Sequence, residues 1–234
     1  IYLFRIHFNL SFMLPLEDFF RNSEQTAYQI SPDGRHLSFL APYQSRMNVF
    51  VQPIDAEARL GAPRQLTFET KRSIGGYIWA DNDRIVFSKD EGGDENYHLF
   101  GVRIDGSDLR AYTDFPGVRA SIIDDLEDVP GKILISLNRR NPEAFDPYRL
   151  DLETGELELL AENPGNWQGW TTDHDGRLRV VYAIVDGVNT QILYRDTEEE
   201  VFRPILTTSF KEEVNFLLFT PDNRYVWATT NLHR

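Results

Sequence analysis

Five segments of this sequence repeat one another at a nearly constant interval. They are SPDGRHLSFLA (31–41), WADNDRIVFSK (79–89), EDVPGKILISL (127–137), DHDGRLRVVYA (173–183) and TPDNRYVWATT (220–230). Aligned on Asp33, Asp81, Val129, Asp175 and Asp222, they lie 48, 48, 46 and 47 residues apart. A fixed period of this size marks a repeat architecture, in which each unit covers its apolar face with a neighbouring copy.

The content of one period says which architecture. Asp-Gly, Asp-Asn and Pro-Gly pairs make tight hairpin turns, because Gly and Asn tolerate positive φ. Each turn leads into a β-rich run such as RIVFS or KILIS, and a run such as TAYQIS or GGYIWA precedes it. About ten residues on comes another run (MNVFVQPI, YHLFGVRI, PYRLDL, TQILYRD), and a fourth closes the unit (RQLTF, LRAYTDF, LELLAE, FRPILTT). Four short antiparallel strands per period, with no helical periodicity, describe a β-propeller blade. A sandwich has many short strands but no such period. The expected fold is all-β: a partial β-propeller of four four-stranded blades plus the start of a fifth. The blades are expected at roughly 27–68, 74–115, 119–163, 167–208 and, in part, 213–230, within a domain covering 14–234. A propeller usually closes with about four to eight blades, so the chain reads as the front part of a longer polypeptide.

The start, IYLFRIHFNLSFM, alternates apolar and polar residues from Phe4 to Phe12, which is a strand pattern. Residues 1–13 are therefore either a leader strand or, if Met13 is the natural start, a non-native remnant. The segment lacks the basic region and cleavage site of a signal peptide, and no stretch reaches the ~18–20 apolar residues that cross a bilayer. These features predict no membrane partner and a cytoplasmic location, or a periplasmic or exported one if a leader precedes Ile1.

Charge and composition remove further classes. The formal net charge of −13 repels a phosphate backbone, so no nucleic-acid partner is expected. It suits cationic partners instead, the free amino terminus of a peptide among them. With no cysteine there is no disulfide, thiolate metal site or Cys nucleophile. None of His7, His36, His98, His174 and His233 forms an i, i+4 pair around a Glu, so no metal site and no cofactor are expected.

LPLEDFFRN (14–22), AYQISPDGRHLSFLAPYQSRMNVFVQPI, RQLTF and GYIWADNDRIVFSKDEGGDENYHLFGVRIDGSDLRAYT together resemble the amino-terminal propeller of prolyl oligopeptidase family serine peptidases. The resemblance covers residues 14 to about 230 and is nearest the bacterial dipeptidyl-peptidase and acylaminoacyl-peptidase branch. It implies a carboxy-terminal α/β-hydrolase domain beyond residue 234, carrying a Ser-Asp-His triad. It also implies short peptide substrates, whose access the propeller gates. This chain departs from the family in having no Gly-x-Ser-x-Gly, the nucleophile elbow. Ser121 and Ser136 fall in strands or turns without that context. No catalytic residue is assigned, and the fragment is expected to be inactive on its own. The alternative is a TolB-like propeller acting as a protein- or peptide-binding scaffold.

Several stretches could contact a substrate or a domain. DEGGDEN (90–96) gathers Asp90, Glu91, Asp94 and Glu95 around two glycines between the second and third strands of blade two. Glu91, Asp94, Glu95 and Asn96 are the contact candidates, for a peptide ammonium or an arginine of the hydrolase domain. The plain alternative is a solvated hairpin loop. DHDGR (173–177) mimics the start of a calcium loop, but it occupies the turn position and lacks the remaining oxygens. RRNPEAFDPYRL (139–150) reads as a polar connection in which Arg139 or Arg140 could meet a carboxylate. Trp79, Trp167, Trp170 and Trp227 are expected to pack between blades with each indole N–H partnered. NWQGW offers the alternative of an aromatic ligand surface.

Overall fold

The computed structural model describes residues 15–16 and 23–232; the alternating segment 4–12 lies outside the described residues. Between residues 23 and 232 every regular element is a strand. The first sheet is β1 (Thr26–Ile30), β2 (His36–Tyr43), β3 (Arg46–Pro53) and β4 (Arg64–Gln65). The second is β5 (Gly76–Trp79), β6 (Arg84–Lys89), β7 (His98–Arg103) and β8 (Arg110–Ala111). The third is β9 (Ala120–Asp124), β10 (Lys132–Asn141), β11 (Ala144–Asp151) and β12 (Leu157–Leu159). The fourth is β13 (Trp167–Thr172), β14 (Leu178–Val185), β15 (Asn189–Tyr194) and β16 (Arg203–Thr208). A two-stranded sheet, β17 (Val214–Phe219) and β18 (Val226–Thr230), follows. Strands pair in chain order and antiparallel throughout. This is a partial β-propeller, as the period predicts.

The first and fifth of the repeated turns fold through one device. In the first sheet the Asp33 carboxylate accepts the Ser31 hydroxyl at 2.7 Å and the Arg35 N–H at 3.1 Å, and Gly34 takes φ 72°. The fifth copies this with Thr220, Asp222 and the Arg224 N–H, Asn223 standing at φ 55° in place of glycine. The short side chain closes the turn locally, and a residue that tolerates positive φ reverses the chain.

Packing explains why the middle strands are apolar on both faces. In β10, Ile133, Ile135 and Leu137 join a cluster with Val86, Leu99 and Tyr112 of the second sheet, while Leu134 turns the other way to Leu178 of the fourth. In β6, Ile85 and Phe87 face the first sheet beside Val49 and Val51, and Val86 faces the third. The second, third and fourth sheets are thus sandwiched, and alternate residues serve alternate neighbours. Four clusters fill the four spaces between five sheets.

Polar ties cross the same spaces. The Trp79 indole N–H donates to Ser38 Oγ at 2.8 Å, joining the second sheet to the first. Arg84, 1% exposed, donates to the Leu152 carbonyl and pairs with Glu153 of the third. Arg149 holds Glu198 at 2.8 Å, joining third to fourth, and the Phe216 N–H donates to the Tyr182 hydroxyl at 3.0 Å, joining fourth to fifth.

Three expectations need correction. Trp227 does not pack between blades: it is 63% exposed, on the face of the fifth sheet turned away from the fourth. Trp170 packs against the Leu126 and Leu134 cluster, but its indole N–H has no partner. Residues 139–150 are not a polar connection. They form the β10–β11 hairpin, in which Arg140 forks onto the fully buried Asp146 at 2.9 and 2.8 Å and so is not free for a carboxylate ligand.

Candidate substrate opening

The first strands of the sheets converge. The carboxyl-terminal ends of β9, β13 and β17, with their turns, line a cavity of about 370 Å³ that includes Asp124, Asp125, Glu127, Asp128, Asp173 and His174. The ends of β1, β5 and β9 line an adjoining cavity of about 530 Å³ with Ile30, Trp79, Asp81 and Pro130. Asp125 and Glu127 belong to both. The two hollows therefore adjoin along Asp125 and Glu127, at the ends of the first strand of each sheet, and are together called the opening.

Its rim is acidic and partly uncompensated. Asp173 is neutralised by Arg179 at 2.7 Å, and both side chains are buried. Its other oxygen accepts the Asp175 and Arg177 N–H groups at 3.0 Å each, so the segment that mimics a calcium loop is a turn closed on an ion pair. Asp124 accepts the Leu126 N–H at 2.8 Å and the Thr172 hydroxyl. Asp125 and Glu127 pair with no basic side chain among the described residues. Burial, then the Asp124 charge, pushes the Asp125 carboxyl above its usual range. Burial does the same to Asp81, with Asp83 adding to it. Carboxylates crowded at a partly enclosed mouth make a field that draws cations.

His174 is the one histidine at this opening among the described residues. Its Nε2 meets the Phe219 carbonyl at 3.0 Å and its Nδ1 meets Asp128 at 3.3 Å. The carbonyl chiefly, and Asp128 next, raise its pKa. Both ring nitrogens are engaged, so the imidazole is tied into the contact between the third, fourth and fifth sheets. A group whose pKa is higher folded than unfolded stabilises fully below about pH 6.5, and that contribution disappears as pH rises through the folded value. The stability difference between the wild-type chain and His174→Gln should therefore narrow from pH 6 to about pH 8. Urea melts of both chains across that range check it, and a constant or widening gap refutes it.

The structure places the sequence candidates elsewhere. Glu91, Asp94, Glu95 and Asn96 share the loop between β6 and β7. Asp94 there accepts the Asn96 N–H at 3.0 Å and its side-chain amide at 3.1 Å, and Glu95 takes φ 60°. Glu91, Asp94 and Glu95 are exposed and Asn96 is half-buried. The opening is lined by Asp81 and Asn82, before the start of β6, whereas this loop follows its end. Six strand residues separate them, about 20 Å. Asp90 turns inward, 4% exposed, and pairs with Arg72 at 3.1 Å. The sequence signal for this opening is the acidic run DDLED (124–128), four carboxylates where the other repeats carry one or two turn aspartates. Ser121 and Ser136 are register partners on β9 and β10, and neither hydroxyl bonds to a histidine among the described residues. No cluster of three metal-ligating side chains occurs among the described residues.

No protein-family model matches the chain. Sequence comparison finds dipeptidyl aminopeptidase BIII of Pseudoxanthomonas mexicana, 31% identical over 198 residues. The chain is a homologue of dipeptidyl aminopeptidases. The match takes in 81% of the chain but 28% of the relative, so this homologue spans a little over a quarter of the curated protein's length. The resemblance to the prolyl oligopeptidase family propeller is borne out. Solved structures share the fold of this chain. Oligopeptidase B from Leishmania major superposes with a TM-score of 0.57 at 13% identity, over 81% of this chain and 28% of that one. TolB from Acinetobacter baumannii superposes at 0.52 and 13% identity, over 89% of this chain and 54% of that one.

Proposed function

We propose that the homologue is the non-catalytic propeller domain of a cytoplasmic serine peptidase of the prolyl oligopeptidase type, gating short peptides toward an α/β-hydrolase domain beyond residue 234. The observation that carries this reading is the acidic opening where the first strands converge. A passage bounded by strand ends excludes folded proteins by size, and the unpaired carboxylates of Asp125 and Glu127 favour a peptide's ammonium end. The identity to a dipeptidyl aminopeptidase supports a peptide as the passenger. The TolB likeness keeps a second reading, a scaffold without hydrolase.

The two readings differ in the full-length protein. As a peptidase, it reacts with a fluorophosphonate and cleaves aminoacyl-prolyl or acyl-aminoacyl chromogenic substrates, while the 234-residue chain does neither. Asp125→Asn with Glu127→Gln should then raise KM for peptides with a free amino terminus by roughly tenfold at low salt and leave N-acylated substrates nearly unchanged. A full-length protein inert to both reagents establishes the scaffold instead.

A further inference from the structure

A second polar hollow lies between the first two sheets, at the end remote from the acidic opening. It measures about 340 Å³ and is walled by Arg46, Lys71, Arg72, Ser73, Asp90 and Tyr97. Three cations face one carboxylate there, in a chain whose formal net charge is −13. Arg72 pairs with that carboxylate, which leaves Arg46 and Lys71 without a counter-charge in the hollow. The Arg46 Nε donates to the Lys71 carbonyl at 2.8 Å and its Nη1 to the Ser45 carbonyl at 3.2 Å, and its guanidinium meets no carboxylate among the described residues. The Lys71 ammonium has no partner among the described residues. Asp90 is the opposite case. Its side chain is 1% exposed, Oδ1 accepts from Arg72, and Oδ2 is shielded from solvent with no hydrogen-bond partner among the described residues. Folded proteins leave few buried acceptors unpaired.

We infer that this hollow binds a terminal α-carboxylate together with the N–H on its α-carbon, as carried by the carboxy terminus of a peptide or by a free amino acid. The carboxylate answers the Arg46 and Lys71 charges, and guanidinium is the group best shaped to fork onto it. The neighbouring N–H supplies the donor that Asp90 Oδ2 lacks. Arg72, half exposed, rotates toward the arriving carboxylate and uncovers that oxygen. An inorganic anion fits less well, because it has no N–H and meets the Asp90 charge directly. The inference does not rest on the peptidase reading, since it concerns binding by the chain itself.

Titration calorimetry on the 234-residue chain tests it with five probes: trialanine, trialanine amide, alanine, acetate and inorganic phosphate. Trialanine should bind saturably, the amide at least tenfold more weakly, and acetate more weakly than trialanine. Alanine equal to trialanine assigns the site to free amino acids, and alanine silent beside a binding trialanine assigns it to peptide termini. Arg46→Gln and Lys71→Gln, both at exposed positions, should each weaken binding by about tenfold or more, with an unchanged circular dichroism spectrum. Equal binding of acid and amide, phosphate as tight as trialanine, no saturation by about 10 mM, or indifference to both substitutions overturns the assignment.

Discussion

Alanine at Trp79 is expected to lower the unfolding free energy by about 3–5 kcal/mol, the usual range for removing a large aromatic from a packed interior. The indole is 6% exposed in the cluster shared by the first and second sheets, among Val49, Val51, Ile85 and Phe87. Its N–H also satisfies the fully buried Ser38 hydroxyl, which in turn donates to the Gln29 carbonyl. Truncation leaves a void and takes away the donor to a buried hydroxyl at the same site, so both losses fall together. Phenylalanine keeps most of the volume and loses the hydrogen bond, and should recover more than half the loss. Guanidinium melts of the three chains measure both steps, and an alanine variant within about 1 kcal/mol of wild type refutes the packing argument.

Asp173→Ala should be comparably severe, again about 3–5 kcal/mol, for an electrostatic reason. The Arg179 guanidinium, nine-tenths buried, has this carboxylate at 2.7 Å as its close counter-charge, and Asp196 stands off at 3.8 Å. Removing the acid strands a charge away from water. Its remaining bonds, to the Arg195 carbonyl and the Tyr194 hydroxyl, are to neutral acceptors. Asp173→Asn separates the contributions, because an amide oxygen can still accept the Asp175 and Arg177 N–H groups but cannot balance the guanidinium. The asparagine chain should fall between wild type and alanine. Asparagine indistinguishable from wild type would show that the turn, rather than the charge, is what Asp173 supplies.

The architecture was legible in the sequence because its causes are local. A tight turn and a β-rich run recur every 46–48 residues, and the first and fifth copies close their turns by the same short-range hydrogen bonds. What joins the copies was much less legible. Thr172 meets Asp124, His174 meets Asp128 and Arg149 meets Glu198 across separations of 48, 46 and 49 residues. Each is about one period, but nothing in a single strand says which residue of the next copy it will face. Trp227 shows the limit: its place in the repeat matched that of buried residues, while its burial depends on a neighbour it does not have among the described residues. The loop at 90–96 was legible as a loop, and its acids drew notice by density. Only the fold reveals that Asp90 is its buried anchor, and that the acids nearest a passage are Asp125 and Glu127.

The four apolar clusters have a mechanical consequence. Each is shared by two adjacent sheets, and none is common to all. The molecule is held like a row of books, each volume steadied by the one beside it, with no central keystone. The two-stranded fifth sheet leans on one side only, with Leu217, Leu218, Tyr225 and Trp227 open to water. Among the described residues that sheet packs on the fourth alone, so loosening it leaves the clusters of the first three sheets intact.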